Sequence, residues 1–125
     1  MPVEQTFSVA YNTTGIGSAI RVPGLHIEAS TSQPVFLTVD ANVTTTFNAT
    51  TTNVLTLGTT TTATEIVGAS GINEASATYQ PNVGSLKLTA DADIYVKFAQ
   101  TGTAATQGAA DLFISIRPMS TVPIV

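Results

Sequence analysis

Cysteine and tryptophan are absent from these 125 residues, and charge is scarce: four Lys or Arg, eight Asp or Glu and one His. Without cysteine there is no disulfide framework, no thiolate nucleophile and no Cys-ligated zinc. Charged residues make up 10% of the chain, against about 25% in ordinary domains. Threonine fills much of that gap, so the expected surface is neutral and rich in hydroxyls. A free monomer relies on charge for solubility, whereas a protein docked in an assembly needs less of it. The four cations, Arg21, Lys87, Lys97 and Arg117, are scattered, and the net charge is −4. Neutralising phosphates requires clustered cations, so nucleic acid is excluded as a partner. No apolar run approaches the roughly 20 residues that span a bilayer, so no membrane partner is expected. The opening MPVEQTFSVAY lacks the basic start and apolar core of a secretory signal. Synthesis in the cytoplasm without a signal peptide is the expectation.

What is present is a period of two. Ile94, Val96 and Phe98 alternate with Tyr95 and Lys97. Leu86 and Leu88 alternate with Lys87 and Thr89, and Leu112, Ile114 and Ile116 with Phe113, Ser115 and Arg117. Stretches 5–11, 19–22, 25–29, 35–39, 43–47, 53–57 and 64–67 read the same way. Alternation over four to eight residues, rich in β-branched types, marks half-buried strands. Only 69–78 (ASGINEASAT) offers a short turn of helix, and its Thr, Ser and Gly weaken it. About eight to ten short strands with turn residues between them predict an all-β fold, a compact antiparallel sandwich or barrel with little helix. The length predicts one β-domain over 1–125. Pro23-Gly24 predicts a tight turn, and Asp91-Ala92 the turn of a hairpin joining 85–90 to 93–98.

Chemistry-bearing residues are few. His26 is the single histidine, and Glu28 shares its face if the segment is a strand. The expectation is a surface or interface histidine paired with Glu28, since no G-x-S-x-G elbow supplies a nucleophile. Asp91 and Asp93, with Asp40 and Asp111 elsewhere, are the candidates for a calcium cage. A lone D-x-D lacks the further ligands such an ion requires, and turn-forming aspartates explain the same letters. Whether Asp91 and Asp93 hold an ion stays open. Gly15-Ile16-Gly17-Ser18-Ala19 lacks the flanking strand, helix and Lys of a phosphate loop. Three Asn-x-Thr sequons, at Asn12, Asn42 and Asn48, are of the kind a Thr-rich chain produces by chance. No catalytic residue, metal site or cofactor is therefore assigned, and an enzyme is not expected.

One stretch carries a resemblance. Asp93, Ile94, Tyr95, Val96, Lys97 and Phe98 form an acidic turn and an alternating strand. A small-residue loop, Thr101 to Thr106, leads to Asp111 through Ile114 at the start of another strand. This resembles small β-rich virion proteins of tailed bacteriophages, above all capsid decoration (cement) proteins. Those sequences commonly place Gly after the Phe, where this chain has Ala99 and Gln100. The resemblance implies a non-enzymatic virion protein on the capsid exterior, with the major capsid protein of the same virion as partner. It also implies stabilisation of the expanded head and self-association, with a trimer preferred. A phage adhesion or carbohydrate-binding β-module of a fibre or tail tip is the alternative, which Tyr11, Tyr79 and Tyr95 would serve if folding assembled them.

The interface candidates follow from the chain itself. Segments 1–7 and 120–125 are apolar and interrupted by proline, suited to lie as short arms along a neighbour's sheet. Val3 and Phe7 in the first, and Val122 and Ile124 in the second, are the candidate anchors. These segments read equally well as the first and last strands of the domain. Thr59, Thr60, Thr61 and Thr62 sit in an uncharged β-branched run, a candidate for self-association if it forms an open edge.

Overall fold

The computed structural model describes residues 3–13 and 18–119. Among these residues the alternating segments form seven strands and no helix: β1 (Val3–Ala10), β2 (Ala19–Ile27), β3 (Val35–Thr45), β4 (Thr52–Gly58), β5 (Tyr79–Leu88), β6 (Ala92–Thr101) and β7 (Ala109–Pro118). They build two antiparallel sheets, in the order β1-β7-β3-β5 and β2-β6-β4. The fold is a sandwich rather than a closed barrel. Odd-numbered strands occupy one sheet and even-numbered strands the other, so every connection crosses from sheet to sheet.

The period-2 pattern decides what faces inward. Along β3, Val35, Leu37, Val39, Ala41 and Val43 are buried while Phe36, Thr38, Asp40 and Asn42 are half-exposed. β6 buries Ile94, Val96 and Phe98, and β7 buries Leu112 and Ile114. These rows meet in one apolar cluster between the sheets, joined by Val9, Val22, Leu25, Leu55 and Leu57. Phe47, in the β3–β4 connection, lays its ring 4.8 Å from that of Phe98.

Several local expectations change. Pro23-Gly24 is no turn between strands but a bulge inside β2, between Arg21 opposite Tyr95 and His26 opposite Asp93. Gly24 takes φ +74 there, a conformation that costs glycine nothing. Proline is tolerated because β2 is an edge strand and one face of its ladder is unpaired. Stretches 35–39 and 43–47 belong largely to one strand, and 64–67 forms only a bridge, Val67 opposite Leu57. Residues 69–78 are turns without helix. The Asp91-Ala92 hairpin is overturned: β5 and β6 lie in different sheets, and the segment between them is a corner of the sandwich.

The four edge strands are not equivalent. On β4, the Leu57 N–H donates to Val67 O, the N–H groups of Ile66 and Val67 donate to Leu57 O, and the Leu55 N–H donates to Glu74 Oε2 at 2.9 Å. The long β4–β5 connection thus covers that edge. β5 contains Pro81 and an irregularity at Asn82, where φ is +51. β2 carries its bulge. β1 runs eight residues with neither proline nor bulge.

Candidate interaction surfaces

The Thr-rich run is a turn closed on a carboxylate. Glu65 Oε1 accepts the Thr59 N–H at 3.0 Å, and Oε2 accepts the Thr60 hydroxyl at 2.6 Å and the Thr62 hydroxyl at 3.2 Å. Thr60, Thr61 and Thr62 are exposed, Thr59 half-buried, and Ala63 closes the turn at φ +55. This stretch is no extended edge, and two of its hydroxyls are engaged internally. Sequence composition hides this because it does not show the Glu65 carboxylate turning back onto the threonines that precede it.

The Thr60 hydroxyl, followed by backbone N–H groups, holds the Glu65 carboxyl down at about 2. Glu74 is the opposite case. It is 8% exposed, and burial, only partly offset by the Leu55 N–H, raises its pKa. Their signs oppose. The lowered Glu65 contributes stability that is present above its unfolded value of 4.5 and lost as pH falls toward 2. The raised Glu74 binds its proton better in the folded state, so its contribution is greatest at acid pH and fades as pH rises through its folded pKa. We expect Glu65→Gln to remove about 1 kcal/mol at neutral pH, after allowance for solvent screening, with the difference vanishing near pH 2. Glu74→Gln keeps an acceptor for Leu55 and should flatten the remaining decline toward neutral pH. Urea midpoints from pH 2 to 7 check both, and parallel curves for wild type and variants would refute the assignment.

The second cluster lies on the outer face of the three-stranded sheet. His26 Nδ1 and Asp93 Oδ1 are 2.8 Å apart, and Arg21 approaches the same oxygen at 3.3 Å. The expected His26–Glu28 pairing is therefore replaced by a cross-strand one. Directly opposed residues on paired strands stand closer than i, i+2 neighbours on one strand. The hydrogen bond with Asp93 raises the His26 pKa, and the same bond, helped by Arg21, lowers that of Asp93. Asp91 accepts the Ala29 N–H at 2.9 Å, tying the end of β2 to the β5–β6 corner. Beside the cluster lies a shallow depression of about 370 Å³, where Lys87, Asp91, Asp93 and Tyr95 meet Thr59. His26 is exposed in an open site, which offers no closed chamber for a reaction.

The remaining candidates do not converge. Asp40 and Asp111 lie on the four-stranded sheet, away from Asp91 and Asp93 on the β6 side. Tyr95 belongs to β6 and Tyr79 to β5, in different sheets, while Tyr11 packs half-buried against the core beyond β1. Val3 and Phe7 fall within β1, paired with Ile116 and Leu112 of β7, and Phe7 packs half-buried against the core. Val122 and Ile124 lie outside the described residues. The pairing of Val3 with Ile116 puts the start of β1 and the end of β7 at one end of the sheet.

No protein-family model and no curated protein matches the chain. Among solved structures, the fold is similar to a chain from "Cyanophage Pam1 capsid asymmetric unit", with a TM-score of 0.59 and 18% sequence identity. The match covers 93% of this chain and 84% of that one, so the two are of similar length. At this identity the likeness is one of fold.

Proposed function

We propose that this chain is a non-enzymatic structural protein of a phage virion, a decoration protein on the outer face of the capsid that stabilises the expanded head. The observation that carries the reading is the fold likeness, over nearly the whole length, to a chain of similar size within a capsid asymmetric unit. The chemistry of the chain agrees with it: a low-charge sandwich whose His26–Asp93 pair is open to solvent. The partner is then the major capsid protein. β1 is the edge best suited to receive a capsid strand, because the other edges are covered, bulged or proline-bearing. On this reading Val3 and Phe7 act as parts of a docking edge, and Val122 and Ile124 contribute further capsid contacts.

A protein that binds only the expanded shell stabilises that state by mass action, by about 2.7 kcal/mol per site at a hundredfold excess over Kd. Purified protein mixed with expanded capsids and with procapsids should co-sediment with the expanded shells alone and raise their disruption temperature. Failure to bind either shell, or equal occupancy of both, overturns the proposal.

A further inference from the structure

The outer face of the four-stranded sheet has two electrical poles. At one end, Lys87, Phe36 and Arg117 form a row across β5, β3 and β7, with the guanidinium 5.9 Å from the centre of the Phe36 ring. Two of the protein's four cations thus flank one aromatic. At the other end, Asp40 and Phe113 share a row, and Asp111 lies opposite Asn42 in the next. Tyr79, 55% exposed, stacks toward Phe113 at 6.3 Å and donates its hydroxyl to Asp40 at 2.7 Å. Between the poles lies a row of Ser and Thr, with Glu4 at its margin on β1, where it accepts from the Ser115 hydroxyl.

Rows of outward side chains recur about every 6.8 Å along a strand, which puts the poles roughly 14–20 Å apart. That exceeds the Debye length of about 8 Å at physiological salt, so the poles do not cancel in solution.

We propose that this face pairs with the same face of a second copy about a two-fold axis lying across the strands. Such an axis reverses the order of rows and stacks each strand on its counterpart. Arg117 then meets the second copy's Asp111, Lys87 meets its Tyr79, whose hydroxyl is held by Asp40, and Phe113 packs over the Ser115 row. Every contact occurs twice, as an isologous interface requires. The aromatics Phe36 and Phe113 and the arginine on this face are residue types enriched where interfaces are anchored. The pairing is two-fold, unlike the trimer implied by the phage resemblance, and it depends on no shell.

The test is a charge swap in solution. Wild-type protein should show a concentration-dependent dimer in sedimentation velocity, weaker at 500 mM than at 50 mM salt. Hydrogen exchange should slow with concentration at 36–42 and 111–117. Arg117→Glu places like charges together in its own dimer, as does Asp111→Lys, so each alone should associate at least tenfold more weakly. An equimolar mixture of the two restores both opposite-charge pairs and should recover the dimer as a heterodimer. Matching circular dichroism and melting curves show that the variants fold. A monomeric wild type, undiminished association of either variant, or a mixture that fails to recover overturns the pairing. The exchange pattern of the wild type decides the matter even if a variant does not fold.

Discussion

Phe98→Ala is expected to cost about 4 kcal/mol and lower Tm by about 15 °C. Phe98 is 1% exposed on β6, the central strand of the three-stranded sheet, directly opposite Leu55 of β4. Its ring also supports Phe47, whose planes meet it at 42° and whose backbone N–H donates to the Glu74 carbonyl. Truncation therefore leaves a cavity flanked by strand residues on both sides, which cannot collapse to fill it, and loosens the β3–β4 connection as well. The outward Phe113→Ala should cost less than about 1.5 kcal/mol, since that ring is half-exposed and leaves no enclosed void. Urea denaturation with an unchanged m-value measures both. Equal losses would mean that the inside and outside of the sandwich have been misassigned.

That assignment was legible in the sequence. The alternations at 94–98 and 112–117 already separated Ile94, Val96, Phe98, Leu112 and Ile114 from Tyr95, Lys97, Phe113, Ser115 and Arg117, because a strand's side-chain period is two. Strand pairing was not legible. A corner and a hairpin use the same turn residues, so Asp91-Ala92 gave no sign that β6 joins the other sheet instead of pairing with β5. Pro23-Gly24 suits a turn and an edge bulge alike, since both accept a missing N–H and a positive φ.

The candidate surfaces were harder still to read. His26 takes its partner from Asp93, 67 positions away, and only the register of β2 on β6 brings them together. The row Lys87–Phe36–Arg117 is assembled from three strands, and nothing in the spacing of those residues announces it. The conformation of the Thr-rich run was hidden for a different reason. Its composition is that of an exposed sticky strand, yet Glu65 curls it into a turn, and the chain beyond it folds back over the edge of β4. A low-charge protein has few lysines to guard its edges, so the guarding falls to backbone and to one buried carboxylate, Glu74.

Gly84→Val tests that guard most directly. Valine favours strands, so propensity alone predicts stabilisation. The structure predicts the reverse. A Cβ on Gly84 would collide with the Ile66 carbonyl, lying 2.9 Å from Ile66 C and 2.7 Å from Val67 Cγ2. Ile66 and Val67 are buried, and their backbone pairs with Leu57 of β4, so they cannot yield without releasing that edge. The expected cost is about 3 kcal/mol. It should be accompanied by aggregation, as the apolar β4 strand TNVLTLG gains a free ladder of N–H and C=O groups. Gly68→Ala, whose added Cβ meets nothing within 4 Å, serves as the control and should change stability by less than about 0.5 kcal/mol. Thermal melts and light scattering read both effects. A Gly84→Val protein as stable and as clear as wild type would mean that the β4–β5 connection does not seal the sandwich.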